Sequence, residues 1–214
     1  MNNTSVTKKG RPSQISQSQV IECALAIGLS SISMHTLGKK LGVSATALYR
    51  HVRSKEELIE LCCDYVMAQV SIPDEVEWDK YLYVFADNFR EVLLSTPGSV
   101  DFIRHNQTFT PASRVIVNDI LGIFRQAQFD AEVGFMAFAS VFTRVTDIVQ
   151  HQEIAAKQID SNDEQKHSQF DATKLPNLAW LIKQTTPVDY DRYFADGIKI
   201  TIEGLKVVYA NKVL

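Results

Sequence analysis

The chain has 214 residues, 45% of them hydrophobic and 22% charged, enough for one large or two small domains with a real apolar core. No apolar run approaches the ~20 residues that cross a bilayer, and the opening "MNNTSVTKKGRPSQ" lacks the apolar stretch of a secretory signal, so a cytoplasmic protein without membrane contact is expected. The net charge of −3 is divided unevenly: residues 1–55 hold eight Lys/Arg and one acid, and the remainder 14 basic and 24 acidic residues, the pattern of a polyanion-binding head on an acidic body.

Residues 1–14 are polar and aperiodic and read as a flexible arm. A first helix is predicted over about 17–29, because Ser16 and Gln19 have capping-box spacing and Ile21, Ala24, Leu25 and Gly28 fall on one stripe. A second is predicted over about 34–41 behind Ser33, and a third over about 45–51 behind Ser44, with Gly42 and Val43 turning between them. Ser54-Lys55-Glu56-Glu57 reads as another capping box, opening a helix toward Val70. These elements, residues 15–70, are taken as one domain.

Residues 71–214 are taken as a second domain. Pro73 interrupts the chain, and a helix follows over about 76–95, ended by Pro97-Gly98. A short helix is predicted over about 99–105, and Thr110-Pro111 starts another that reaches about 127. Asp130 opens a long helix to about 156. Residues 157–175 are polar and read as a mobile loop; "LPNLAWLIKQ" is a short helix, and a last one covers about 189–211. No strand pattern, repeat or long heptad array is present, so the fold class is all-α.

Cys23, Cys62 and Cys63 lack the spacing of a disulfide framework or zinc cluster. They read as buried packing thiols, with redox sensing at the vicinal pair as the alternative.

The chemistry concentrates in "LGKKLGVSATALYRHVRSKEEL", Leu37 to Leu58. Two helices grip DNA only if they cross closely at a fixed angle. Gly38 supplies a small residue at the crossing and Gly42 tolerates positive φ in the turn. Leu37, Leu41, Val43, Leu48 and Val52 supply apolar anchors, leaving the other face of the third helix to enter a major groove. Ala45 and Thr46 are small enough for close approach to base edges, with Arg50 beside them. Tyr49, His51 and Lys55 stand at the rim, where phosphates lie, and the next helix offers its N-terminus. Lys8, Lys9 and Arg11 of the arm either lie in an adjacent minor groove or form a solvated tail.

With those residues in view, "SMHTLGKKLGVSATALYRHVRSKEELIEL" resembles the DNA-binding domain of the tetracycline-repressor (TetR) family of bacterial regulators. "SVFTRVTDIVQHQEIAAKQ" and "FADGIKITIEGL" are more weakly similar to helices of that family's ligand-binding half. The resemblance implies an all-helical homodimer: a three-helix head on DNA and a larger body for a small molecule. It implies a dimer interface built by the helices at about 130–156 and 189–211. Carried over by position, Tyr49, His51 and Lys55 match phosphate contacts, and Ala45, Thr46 and Arg50 lie on the base-reading helix after Ser44. His35 and Thr36 lie on the helix before it. His35 stands where the tetracycline repressor has arginine, so the same operator is not implied. Phe102 and Gln150 fall where that protein uses a histidine and a carboxylate to anchor its magnesium chelate, with His105 and Asp147 shifted nearby. Phe89 does match a drug-contacting aromatic. A tetracycline–magnesium inducer is therefore not expected, nor any other metal or cofactor.

The body is rich in Phe, which at helical spacing is either plain core or the lining of an apolar cavity with few polar groups. Candidate ligand contacts are Phe85, Phe89, Phe102, Phe124, Phe138 and Phe142, with His105, Asn118, Arg144 and Gln150 as orienting groups. Gly197 and Gly204 on the last helix would permit close packing against a second subunit. No G-x-S-x-G, P-loop, G-x-G-x-x-G or H-E-x-x-H motif occurs. His151 and Glu153, two apart on a helix, do not share a face. An enzyme is not expected. The expected function is a ligand-responsive dimeric repressor on a palindromic operator, released by an apolar or aromatic effector; the alternative is an activating or architectural DNA-binding dimer without an effector.

Overall fold

The computed structural model describes residues 15–106, 108–160, 173–184 and 187–209, which form ten helices and no strand. In order these are α1 (Gln17–Ile27), α2 (Met34–Leu41), α3 (Ala45–Leu48), α4 (Lys55–Met67) and α5 (Trp78–Ser95). There follow α6 (Ser99–His105), α7 (Pro111–Gln126), α8 (Ala131–Asp160), α9 (Pro176–Gln184) and α10 (Tyr190–Tyr209). The arm carrying Lys8, Lys9 and Arg11 lies outside the described residues.

Local capping chemistry sets most of these boundaries. Ser16 Oγ accepts from the Gln19 N–H, and the Gln19 side chain accepts from the Ser16 N–H in return. At the other end of α1, Gly28 takes φ +83 and its N–H donates to the carbonyls of Ala24 and Leu25. Gly28 is thus the stop of α1 and not part of its buried stripe, which is Val20, Ile21, Ala24 and Leu25. Ser33 caps α2, and here the reciprocal bond comes from Thr36, whose Oγ1 accepts from the Ser33 N–H at 2.8 Å. Thr110 caps α7 with Pro111 at its first position, where a missing N–H costs nothing.

Several helix ends and caps differ from the sequence expectation. Helix α3 has only four residues, and Tyr49, Arg50 and His51 continue as a turn. Ser54 caps α4, but the Glu57 carboxylate accepts from the N–H of Arg53, one residue before the cap. Helix α8 continues to Asp160, through residues 157–160 that were expected in a loop; residues 161–172 lie outside the described residues.

The buried apolar residues form one continuous cluster, from Val20 in α1 to Leu205 in α10. Helices α1–α3 pack together at one end, and α5, α8 and α10 pack mutually at the other. Helix α4 joins the two, packing on α1 with one side and on α6 and α7 with the other. Arg90 ties the far end together: its Nη2 donates to Asp191 Oδ1 at 2.7 Å, and its guanidinium lies 4.6 Å from the centre of the Phe194 ring. Helix α9 buries none of its residues.

The crossing of α2 and α3 depends on Gly38. A Cβ there would sit 2.8 Å from the Val43 carbonyl oxygen, a backbone atom that has nowhere to retreat. That carbonyl belongs to the turn held by the Val43 N–H donating to Gly38 O at 2.9 Å and by Gly42 at φ +68. We expect Gly38→Ala to lose about 1–3 kcal/mol of stability through overpacking, despite its better helix propensity. Gly122→Ala in α7, where a Cβ meets nothing within 4 Å, should gain about 0.5–1 kcal/mol. Urea unfolding of both variants checks this; a neutral Gly38→Ala would mean the helices do not cross as closely as described.

Candidate nucleic-acid interface and ligand cavity

The turn presents a compact exposed surface. Ser44 caps α3 by accepting from the Ala47 N–H, which aims the helix outward, and Leu48 is its one buried residue. Ala45, Thr46, Tyr49, Arg50 and Lys55 are all exposed, as is His35 on the neighbouring α2. Tyr49 is 53% exposed, unusual for an aromatic with no interior role. His51 is half-buried, and its carbonyl accepts from the Gln17 side chain at 3.0 Å, fixing the turn after α3 against α1.

Two of the sequence-chosen groups have other employment. Thr36 is exposed, but its hydroxyl is engaged in the α2 cap, bonded to Ser33 and close to the carbonyl of Ser31. The N-terminus of α4 is less open to phosphate than its position suggests. Ser54 Oγ takes the Glu57 N–H, and Glu56 stands in the first turn with its own N–H and the Ser54 hydroxyl holding its carboxyl below the usual range. Two acids already answer the positive end of that helix dipole.

In the body, a cavity of about 220 Å³ opens between α4, α6, α7 and α8. Cys63 and Met67 of α4 form one wall. Phe135, Phe138 and Phe142 form another, at the i, i+3, i+7 spacing of one face of α8. Phe109 faces Phe135 edge-on at 6.1 Å. The polar groups in the lining are Asn106, Thr108, Thr110 and Ser113. Burial pushes the Cys63 thiol up to about 12, and its Sγ donates to the Phe102 carbonyl at 3.1 Å. Cys62 is raised to the same value, also by burial. Thiolate is the reactive form, so neither is primed for redox chemistry at neutral pH.

Of the sequence-chosen ligand residues, the structure brings Phe138 and Phe142 to this cavity. Phe85 and Phe89 lie behind them, with ring centres 5.2 Å and 4.8 Å away, fully buried in the core. Phe102 is buried beside α4, and Phe124 packs against Trp78 and Phe129, pressed close to Gly134. His105 is exposed at the end of α6. Asn118 is exposed and borders a separate depression with Arg125. Gln150 links α8 to α6, accepting from Arg104 at 2.6 Å and donating to Asp101 at 3.1 Å. Arg144 turns outward to Asp147 and the Tyr193 ring. The sequence signal for the cavity was the Phe135-Phe138-Phe142 stripe; the loop residues Asn106, Thr108 and Phe109 carried none. Among the described residues no cluster of three or more His, Cys, Asp or Glu is placed to hold a metal, and no helix is long and apolar enough to cross a membrane.

The same geometry is found in known proteins. The model of "Bacterial regulatory proteins, tetR family" matches residues 21–62, and that of "Tetracyclin repressor-like, C-terminal domain" matches residues 72–209. An HTH-type transcriptional regulator of Saccharopolyspora erythraea is 30% identical over 89 residues, which are 39% of this chain and 38% of that protein. Among solved structures, the TetR family protein ActR of Streptomyces coelicolor in complex with actinorhodin superimposes with a TM-score of 0.73 at 25% identity, over 92% of this chain and 97% of ActR. A tetracycline repressor variant of Acinetobacter baumannii in complex with minocycline shares the fold, at TM-score 0.66 and 19% identity over 91% of this chain and 98% of that one. With an exposed, closely crossed helix pair at one end, an apolar cavity beneath it and both halves matched, the chain belongs to the tetR family of bacterial regulatory proteins.

Proposed function

We propose that the protein is a dimeric transcriptional repressor whose residues 15–70 read a palindromic operator and whose body, residues 71–214, releases it when a small apolar or aromatic effector fills the cavity. The observation that carries this reading is the shared helix α4. The helix that lines the cavity through Cys63 and Met67 also packs on α1 of the head. An effector shifts the equilibrium only as far as it prefers the non-binding arrangement. A wall common to both sites is where such a preference acts. ActR complexes with actinorhodin and with (S)-DNPA are consistent with effector binding in this architecture. A body packed solid would have favoured the architectural alternative; the cavity speaks against it.

Base contacts are assigned to Ala45, Thr46 and Arg50, with His35 flanking, and phosphate contacts to Tyr49, His51 and Lys55. The arm residues Lys8, Lys9 and Arg11 add charge near the same surface. Ser44 serves by aiming α3, and Thr36 by capping α2. The dimer is assigned to the outer faces of α8 and α10. Tyr193, Ile200, Gly204 and Val207 fall on one exposed stripe of α10, with Ile200 72% and Val207 78% exposed. Among the described residues a Cβ on Gly204 would meet no atom within 4 Å, so the stripe is open at that point. Met136, Ser140, Thr143 and Asp147 border the adjoining groove along α8. Two-fold pairing there covers the patch and sets two α3 helices for half-sites about one DNA turn, ~34–36 Å, or somewhat more apart.

Two substitutions test these assignments. Arg50→Ala should weaken operator binding by about 1–3 kcal/mol, roughly 5- to 150-fold, as loss of a base-reading arginine does. Fluorescence anisotropy on a selected operator over a salt series measures it, and unchanged affinity with an unchanged salt slope would remove Arg50 from the interface. Val207→Glu should convert the dimer to monomer in sedimentation velocity with its helical circular dichroism intact. A persistent dimer would place the interface elsewhere.

A further inference from the structure

The cavity is unusual in what its walls withhold. Among the described residues no charged side chain lines it. The hydroxyls present are largely engaged with one another. Thr110 is 1% exposed, and its Oγ1 accepts from the Ser113 N–H while meeting Ser113 Oγ at 3.2 Å. Ser113 Oγ donates to the Thr110 carbonyl at 3.0 Å. Thr108 Oγ1 donates to Asn106 Oδ1 at 3.2 Å, and Asn106 Nδ2 donates to the Thr108 carbonyl at 2.7 Å. An amide nitrogen carries two N–H groups, and among the described residues only one of Asn106's has a partner, so the other can meet a guest. The rest of the wall is apolar and aromatic, with Phe135, Phe138 and Phe142 along one side and Phe109 across from them.

Size narrows the guest further. Drug-sized molecules occupy about 300–1,000 Å³, whereas a cavity of roughly 150 Å³ suffices for benzene. At about 220 Å³ the space suits one ring or two fused rings.

Resting on the effector-responsive reading above, we infer that the cavity takes an uncharged, flat aromatic compound of one or two rings bearing a single hydrogen-bond acceptor, such as an aryl ketone, met by Asn106. An ionised carboxylate or ammonium would leave water for a wall with no counter-charge, which is strongly unfavourable. A magnesium chelate finds no imidazole or carboxylate among the described residues of the lining. Tilted and edge-on phenyl rings in the wall favour a planar aromatic guest.

The test uses the whole chain at pH 7.5 with acetophenone, a neutral aryl ketone, and benzoate, an anion of nearly the same shape. Isothermal titration calorimetry should show saturable acetophenone binding, with benzoate at least ten-fold weaker. Val117→Phe, which fills the cavity from α7, should abolish acetophenone binding. Asn106→Asp keeps the shape but exchanges the donor for a carboxylate and should weaken it ten-fold or more; this second variant serves if Val117→Phe folds poorly. Benzoate binding as tightly as acetophenone, acetophenone binding that survives both variants, or no binding of either compound would each overturn the inference. Operator release, followed in the same samples, separates the two readings. Acetophenone that occupies the cavity without releasing DNA upholds the ligand class and removes the effector response. Benzoate that binds and releases DNA does the reverse.

Discussion

Helix α4 is a wall of two compartments at once, and three consecutive residues hold it in both. The Cys62 thiol points toward α1, 3.9 Å from the Ile21 carbonyl. The Cys63 thiol points to another side of the helix and donates to the Phe102 carbonyl of α6. Asp64 then accepts the Ala112 N–H at 2.8 Å, so a side chain of α4 holds a first-turn backbone group of α7. Three side chains in a row diverge because a helix turns about 100° per residue. Vicinal cysteines suit this place for a packing reason: each is small, tolerates burial and offers one weak donor. Their raised pKa values keep them as neutral thiols in a wall that would not tolerate charge.

From that arrangement the rest of the molecule follows. The head's own core, built from Val20, Ile21, Leu37, Leu48 and Val52, is small for an independent unit and continues into the body through Leu58, Ile59 and Val66. Helices α6 and α7 pack on α4, and α4 packs on α1, which carries α2 and through it α3. The triangle of α5, α8 and α10 is tied by Arg90 of α5, which donates to Gln152 of α8 and Asp191 of α10, and the buried Tyr81 of α5 joins it to α7 by donating to Asp119 at 2.8 Å. The cavity lies between α8 of that triangle and α4, α6 and α7.

Much of this was legible in the sequence because it was local. Serine at positions 16, 33, 44 and 54, and Thr110 followed by Pro111, each mark a helix start whose chemistry lies within four residues. The close crossing at Gly38 was legible for the same reason, since its obstacle, the Val43 carbonyl, is five residues away. The lining of the cavity was not. Phe85, Phe89, Phe102, Phe124, Phe138 and Phe142 are alike in type and in helical spacing. Which of them faces space and which faces core is decided by how α5, α6 and α7 pack on α8. Gln150 and His105 were misleading in the same way: their polarity fits a ligand site, but one bridges two helices and the other faces solvent. Asn106, by contrast, owes its place to a loop conformation that no periodicity announces.

The coupling of head and body through α4 is open to one direct measurement, native-state hydrogen exchange followed by mass spectrometry across a denaturant series. If α4 is structurally common to both halves, amides in α1, α4, α6 and α7 will open together, in one cooperative step and with one shared free energy. If α1–α4 open as a separate unit well before α6 and α7, the head is merely attached to the body. Filling the cavity would then not be coupled energetically to the head, and release of DNA could not act through α4.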